Sequence, residues 1–192
     1  MPLMSKKRVD EAVSESLDLK KRFFEMHAEG LVALADVIAD RVRKGGKVLV
    51  FGNGGSAADA QHFAGELVGR FTKEGPPIPA LALTTDSSIM TAVGNDYGYE
   101  HIFKRQLEAH ARPDDIAIGI STSGNSKNVI EALLVARSRG LLTVGMTGEG
   151  GGRLGSLVDH LFAVPSKDTP RIQEAHHLMN HLLCELLEER LR

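Results

Sequence analysis

Three stretches of the chain, "KVLVFG" (47–52), "DDIAIGIST" (114–122) and "LLTVGMTG" (141–148), hold continuous apolar runs without alternation. A strand with one face in water alternates apolar and polar side chains. A strand that does not alternate is buried on both faces, the condition of a parallel sheet covered by helices. Two more strand-type runs, "IPALALTT" (78–85) and "HLFAVPS" (160–166), bring the number to five. Helical patterns lie between them at 56–71, 87–93, 99–111 and 126–140, and a last one runs from about 170 to 191. Residues 7–43 carry apolar positions at three- and four-residue spacing up to a "KGG" stop, as one long helix or two in tandem.

Strands alternating with helices predict an α/β fold, with a doubly wound five-stranded parallel sheet sandwiched by helices, flavodoxin-like or Rossmann-like. At 192 residues this is a single domain, 1–192, with residues 1–45 as a long N-terminal helical segment. The first and last helices are apolar beyond one narrow stripe, so both are expected to pack between subunits of an oligomer. With 23 Lys+Arg against 25 Asp+Glu, nothing advertises nucleic acid or an acidic membrane surface as partner. No run approaches the roughly 18 apolar residues of a membrane span. The charged, amphipathic N-terminus lacks the apolar core of an export signal. A single cysteine, Cys184, is read as a small core residue and fits a reducing cytoplasm.

Two strand ends lead into unusual loops, "GNGGSA" (52–57) and "STSGNS" (121–126). Each opens a helix, where free amides and the positive end of the dipole favour an anion. Gly54, Gly55 and Gly124 let backbone approach a ligand, and hydroxyls add donors without charge. Ser56 and Ser126 are also good helix caps in their own right. One cap needs one hydroxyl, however, and Ser121, Thr122, Ser123 and Ser126 crowd into six residues, which favours a phosphate. Gly52, Gly54 and Ala57 satisfy a dinucleotide-binding G-x-G-x-x-A, yet the nearest acidic residue, Asp86, stands too far on for the ribose. No G-K-[ST] follows either glycine turn, which excludes a P-loop.

His62 and Glu66 stand on one helical face about one turn beyond the first loop. The last helix carries Gln173, His176, His177 and His181. Imidazoles with a carboxylate are what a zinc-type divalent ion accepts. Eight residues of helix span about 12 Å, so Gln173 and His181 share an ion only if it lies between them or if they come from different subunits. His177 is better spaced to both, and spacing alone does not choose between the histidines. "GNDYG" (94–98) reads by itself as a turn.

The stretches "GNGGSAADAQHFAGE", "TTDSSIMTAVGNDYGYE", "STSGNS" and "DTPRIQEAHHLMNH" together resemble the phosphoheptose isomerase family of sugar isomerase (SIS) domains, in order and over nearly the whole chain. That resemblance implies isomerisation of sedoheptulose 7-phosphate to glycero-manno-heptose 7-phosphate through an enediol. This is the first step towards the nucleotide-activated heptose of bacterial surface polysaccharide. It implies Glu66 and His181 as the acid/base pair, and one zinc per subunit held by His62, Glu66, Gln173 and His181. Substrate contacts would come from Asn53, Gly54, Gly55, Ser56, Asn95, Asp96, Ser121, Thr122, Ser123, Ser126 and Gln173. It further implies a homotetramer with active sites at subunit contacts. Relatives in the subfamily act instead as non-catalytic adaptors that bind the bacterial replication initiator and lack the acid/base residues. Glu66 and His181 are both present here, which favours the enzyme. A phosphosugar-sensing regulator would be expected to carry a fused DNA-binding module.

Overall fold

The computed structural model describes residues 5–192; residues 1–4, the start of the stretch read above as free of an export signal, lie outside the described residues. Helix α1 spans Lys6–Arg43 without a break, so the long N-terminal segment is one helix. There follow β1 (Val48–Gly52), α2 (Gly55–Val68), β2 (Ala80–Ala82), α3 (Ser87–Tyr97) and α4 (Ile102–His110). The second half supplies β3 (Ile116–Ser121), α5 (Lys127–Ser138), β4 (Leu142–Thr147), β5 (His160–Ala163) and α6 (Thr169–Leu191). Short 3-10 turns occupy Tyr99–His101 and Gly152–Ser156.

All strands pair in parallel, in the order β2-β1-β3-β4-β5. Every residue of β1, β3 and β4 is buried, and successive residues feed two separate cores. Val48 and Val50 face a core with Phe23, Leu34 and Ile38 of α1, Phe63 of α2 and Met179 of α6. Leu49 and Phe51 face the opposite core with Phe103 of α4 and Leu133 of α5. Burial of each such side chain stabilises by roughly 1.5–3 kcal/mol, so both faces of the sheet hold the layers together. Helix α1 lies along α6, and α6 in turn contacts α2. Among the described residues no helix is long and apolar enough to cross a membrane.

Two elements differ in length from the sequence reading. β2 keeps three residues of the expected run; at its start Pro79 has no N–H to donate, its carbonyl accepts from Val48 N–H at 2.9 Å, and pairing proper begins at Ala80. α3 runs through "GND" to Tyr97, so the chain turns at Gly98 rather than at Gly94. Asp86 caps this helix, its Oδ1 accepting from Ile89 N–H at 2.9 Å.

Candidate active site

Strand order reverses between β1 and β3, so the loops leaving their carboxyl ends part company there and leave a crevice. Gly52 and Ile120 are register partners, which sets the first loop directly beside Ser121 at the head of the second. The two loops are tied by side-chain amides. Asn53 Nδ2 donates to Asn128 Oδ1 at 2.9 Å, and Asn128 Nδ2 returns a bond to Asn53 Oδ1 at 2.8 Å. Asn128 is buried in the first turn of α5, so this reciprocal pair sits under the crevice. Tyr99 Oη also donates to Asn53 Oδ1, at 3.3 Å.

Both serines at the helix starts decline the capping role. The cap position of α2 is Gly54, with Ser56 buried inside the first turn, and the Ser126 side chain makes no cap bond to α5. Ser126 Oγ instead lies 2.9 Å from Ser121 Oγ, which is also 3.4 Å from Ser123 Oγ. The hydroxyls therefore cluster within the loop, at a helix N-terminus suited to an anion. Gly124 turns the loop at φ +64°, where a Cβ would collide with the carbonyl of Gly151. Gly148 N–H donates to the Thr122 carbonyl at 3.0 Å and Leu154 N–H to that of Gly124 at 3.0 Å, so the segment after β4 backs the loop. Asn95 and Asp96 sit in the last turn of α3, exposed and bonded to each other at 2.8 Å. From this segment, the hydrogen bond to the first loop comes from Tyr99.

The imidazoles gather where α2 meets α6. His62 Nε2 is 2.9 Å from His181 Nε2 and 3.4 Å from Glu66 Oε1. His177 Nδ1 is 3.1 Å from Asp59 Oδ1, and one ring nitrogen from each of His62, His177 and His181 lies within 4.8 Å of the others. Two nitrogens sharing one tetrahedral zinc stand about 3.3 Å apart, from Zn–N near 2.05 Å. Three imidazoles so gathered, with the Glu66 carboxylate beside His62, fit a zinc-type ion in kind. Gln173 lies two turns before His181 with its amide against the first loop; a Cβ at Gly55 would stand 2.5 Å from its Nε2.

Burial, helped by the neighbouring imidazoles of His177 and His62, holds His181 below the usual histidine range. Burial raises the Asp59 carboxyl, against the pull of His177. His176 is part of the core: burial lowers it to about 4, and its neutral ring donates from Nε2 to the Thr147 carbonyl at 3.1 Å, fixing α6 to the end of β4. Cys184 is buried too, and burial pushes its thiol up. Sequence reasoning passed over Asp59 and Asn128. Asp59 was visible in the i, i+3, i+7 spacing of Asp59, His62 and Glu66, which share a helical face. Asn128 meets a partner 75 residues away, and no local pattern announces that.

Residues 13–148 match the SIS domain, so the class that fold and crevice define is that of SIS-domain proteins. The phosphoheptose isomerase of Aquifex aeolicus is 54% identical over 182 residues, covering 95% of either chain. Among solved structures, the phosphoheptose isomerase of Neisseria gonorrhoeae superposes with a TM-score of 0.91 at 42% identity, covering 96% of this chain and 98% of that one. That of Francisella tularensis gives 0.93 at 36% identity, covering 97% and 100%. The chain belongs to the phosphoheptose isomerase family and is an isomerase.

Proposed function

We propose that the protein converts D-sedoheptulose 7-phosphate to D-glycero-D-manno-heptose 7-phosphate through an enediol. This would be the first step in making the ADP- or GDP-activated heptose of lipopolysaccharide or other surface glycans. One observation supports the reading: His62, on the helix that the first loop opens, stands 3.4 Å from Glu66 and 2.9 Å from His181.

Ser121, Thr122, Ser123 and Ser126 hold the phosphate through hydroxyls and helix-terminal amides. Asn53, Gly54, Gly55, Ser56, Asn95, Asp96 and Gln173 contact the sugar, amides and carboxylates offering the donors and acceptors that hydroxyls need. Moving a proton between C1 and C2 calls for a base beside the carbonyl and a donor to the oxygen that gains charge. Glu66 is the base. His181 is its acid/base partner; an imidazole held towards neutrality suits donation to a developing enediolate. His62, Glu66, Gln173 and His181 form the ligand set for a divalent ion, zinc by the chemistry of the donors. When bound, such an ion supplies Lewis-acid polarisation of a carbonyl oxygen.

The active form is a homotetramer in the cytoplasm. Val9, Val13, Leu17, Met26, Val32 and Val37 are exposed along α1, and a groove between α1 and α6 is lined by Phe24, Leu31, Val32, Leu182 and Leu186. The test is incubation with sedoheptulose 7-phosphate, zinc supplied, followed by NMR. Appearance of the aldose is expected; its absence would turn the reading to the initiator-binding adaptor.

A further inference from the structure

Asp59, His62 and Glu66 fall on one face of α2, and His177 and His181 on one face of α6, the two helices being in contact. The ligand set above uses His62, Glu66 and His181 of this group and leaves the pair on its flank without a role. That pair has a definite chemistry. Asp59 Oδ1 lies 3.1 Å from His177 Nδ1, and an ionised carboxylate only accepts, so Nδ1 carries the proton. His177 is thereby fixed as the tautomer whose Nε2 keeps its lone pair. A histidine that gives one N–H to a carboxylate and offers its other nitrogen is the arrangement found at metal ligands, the carboxylate orienting the ring and raising its basicity.

One ring nitrogen of His177 lies within 4.8 Å of a ring nitrogen of His62 and of His181. The His177 ring centroid is 4.5 Å from that of His181 and 4.8 Å from that of His62. The Asp59 side chain is 13% exposed against 44% for His177, so the orienting group is sheltered and the donor open. With Glu66 beside His62, a third imidazole adds one more nitrogen of the kind a zinc-type ion takes. The Gln173 carboxamide oxygen is a weaker donor for such an ion than an imidazole nitrogen, so a further histidine strengthens the set named above.

We propose that His177 is itself a ligand of the divalent ion and that Asp59 is the residue that orients it. This rests on the metal reading made above, and the experiment separates the two. Zinc affinity is measured on the purified metal-free protein by competition with a chromophoric chelator, for the wild type and for His177→Ala, Asp59→Asn and His181→Ala. A cobalt-loaded sample of each gives the visible d–d band as a report of the ligand shell. His177→Ala is expected to bind zinc at least about 100-fold more weakly and to shift the cobalt band. Asp59→Asn, which keeps size but cannot fix the tautomer, should lose about 10- to 100-fold. Metal-free melting temperatures should stay close to wild type, since the His177 side chain is 44% exposed and lies outside the core. Wild-type affinity and spectrum in His177→Ala, with binding lost in His181→Ala, would overturn the role of His177 and leave the metal site standing. A wild type that binds no zinc would overturn both.

Discussion

The Ser126 hydroxyl stands at the start of α5, where it would ordinarily accept from an amide of its own helix, and instead shares a 2.9 Å hydrogen bond with Ser121. The third amide of α5, from Val129, is taken instead by the Asn128 side chain at 3.0 Å, so the serine hydroxyls gather in the loop rather than on the helix end. Ser126→Ala should weaken binding of substrate and of inorganic phosphate at least about tenfold, the worth of one hydrogen bond to a charged group, while the melting temperature barely moves. Unchanged phosphate affinity would make the loop structural. The density of hydroxyls and glycines in these loops was legible from the sequence, because a phosphate site at a helix start is assembled locally. The Asn53–Asn128 pair and the Asp59–His177 pair were not, because each joins residues more than a hundred or several tens of positions apart through the fold. Which histidine of the last helix faces the site was open for the same reason. The structure buries His176 in the core and turns His177 and His181 towards His62.

Elements on the two-sided sheet were the easiest to read, since a strand buried on both faces advertises itself by composition alone. Edges were harder. β2 begins only after Pro79, and α3, capped by Asp86, passes through Gly94 to end at Tyr97. How α6 is tied to the segment that follows α2 was invisible in one dimension, and a single carboxylate makes the tie. Glu188 is buried and accepts from the backbone N–H groups of Phe71, Thr72 and Lys73 at 2.8–2.9 Å, from the Thr72 hydroxyl, and from Arg192. Burial pushes its pKa up, but these donors outweigh burial and hold it at about 2, against an ordinary 4.5. A depressed value means that folding favours the ionised form. The stability Glu188 contributes is therefore full above about pH 4.5 and fades as pH falls towards 2. Glu188→Gln should cost about 2 kcal/mol or more at pH 7, with a smaller loss of melting temperature between pH 4.5 and 2 than the wild type shows. An unchanged melting temperature at neutral pH would remove this anchor from the account.

At the scale of the whole molecule, α1 hides Leu19, Phe23, Leu34 and Ile38 against the domain and leaves Val9, Val13, Leu17 and Met26 exposed. A lone surface helix has little use for so many exposed apolar side chains, and a second copy would cover them. Light scattering at micromolar concentration should give about four times the 20.7 kDa of one chain, and a monomer mass would contradict the assembly. The central claim, that Glu66 removes the proton between C1 and C2, has a more direct test. The zinc-supplied protein is incubated with sedoheptulose 7-phosphate in heavy water and followed by NMR. An enediol route lets the abstracted proton exchange with solvent, so deuterium should enter C2 of the aldose and, through reversal, C1 of the ketose. Glu66→Gln keeps the size and reach of the side chain but not its basicity. It should cut conversion and exchange together by at least about 10²-fold while the oligomer survives. Conversion and exchange undiminished in Glu66→Gln would contradict the account.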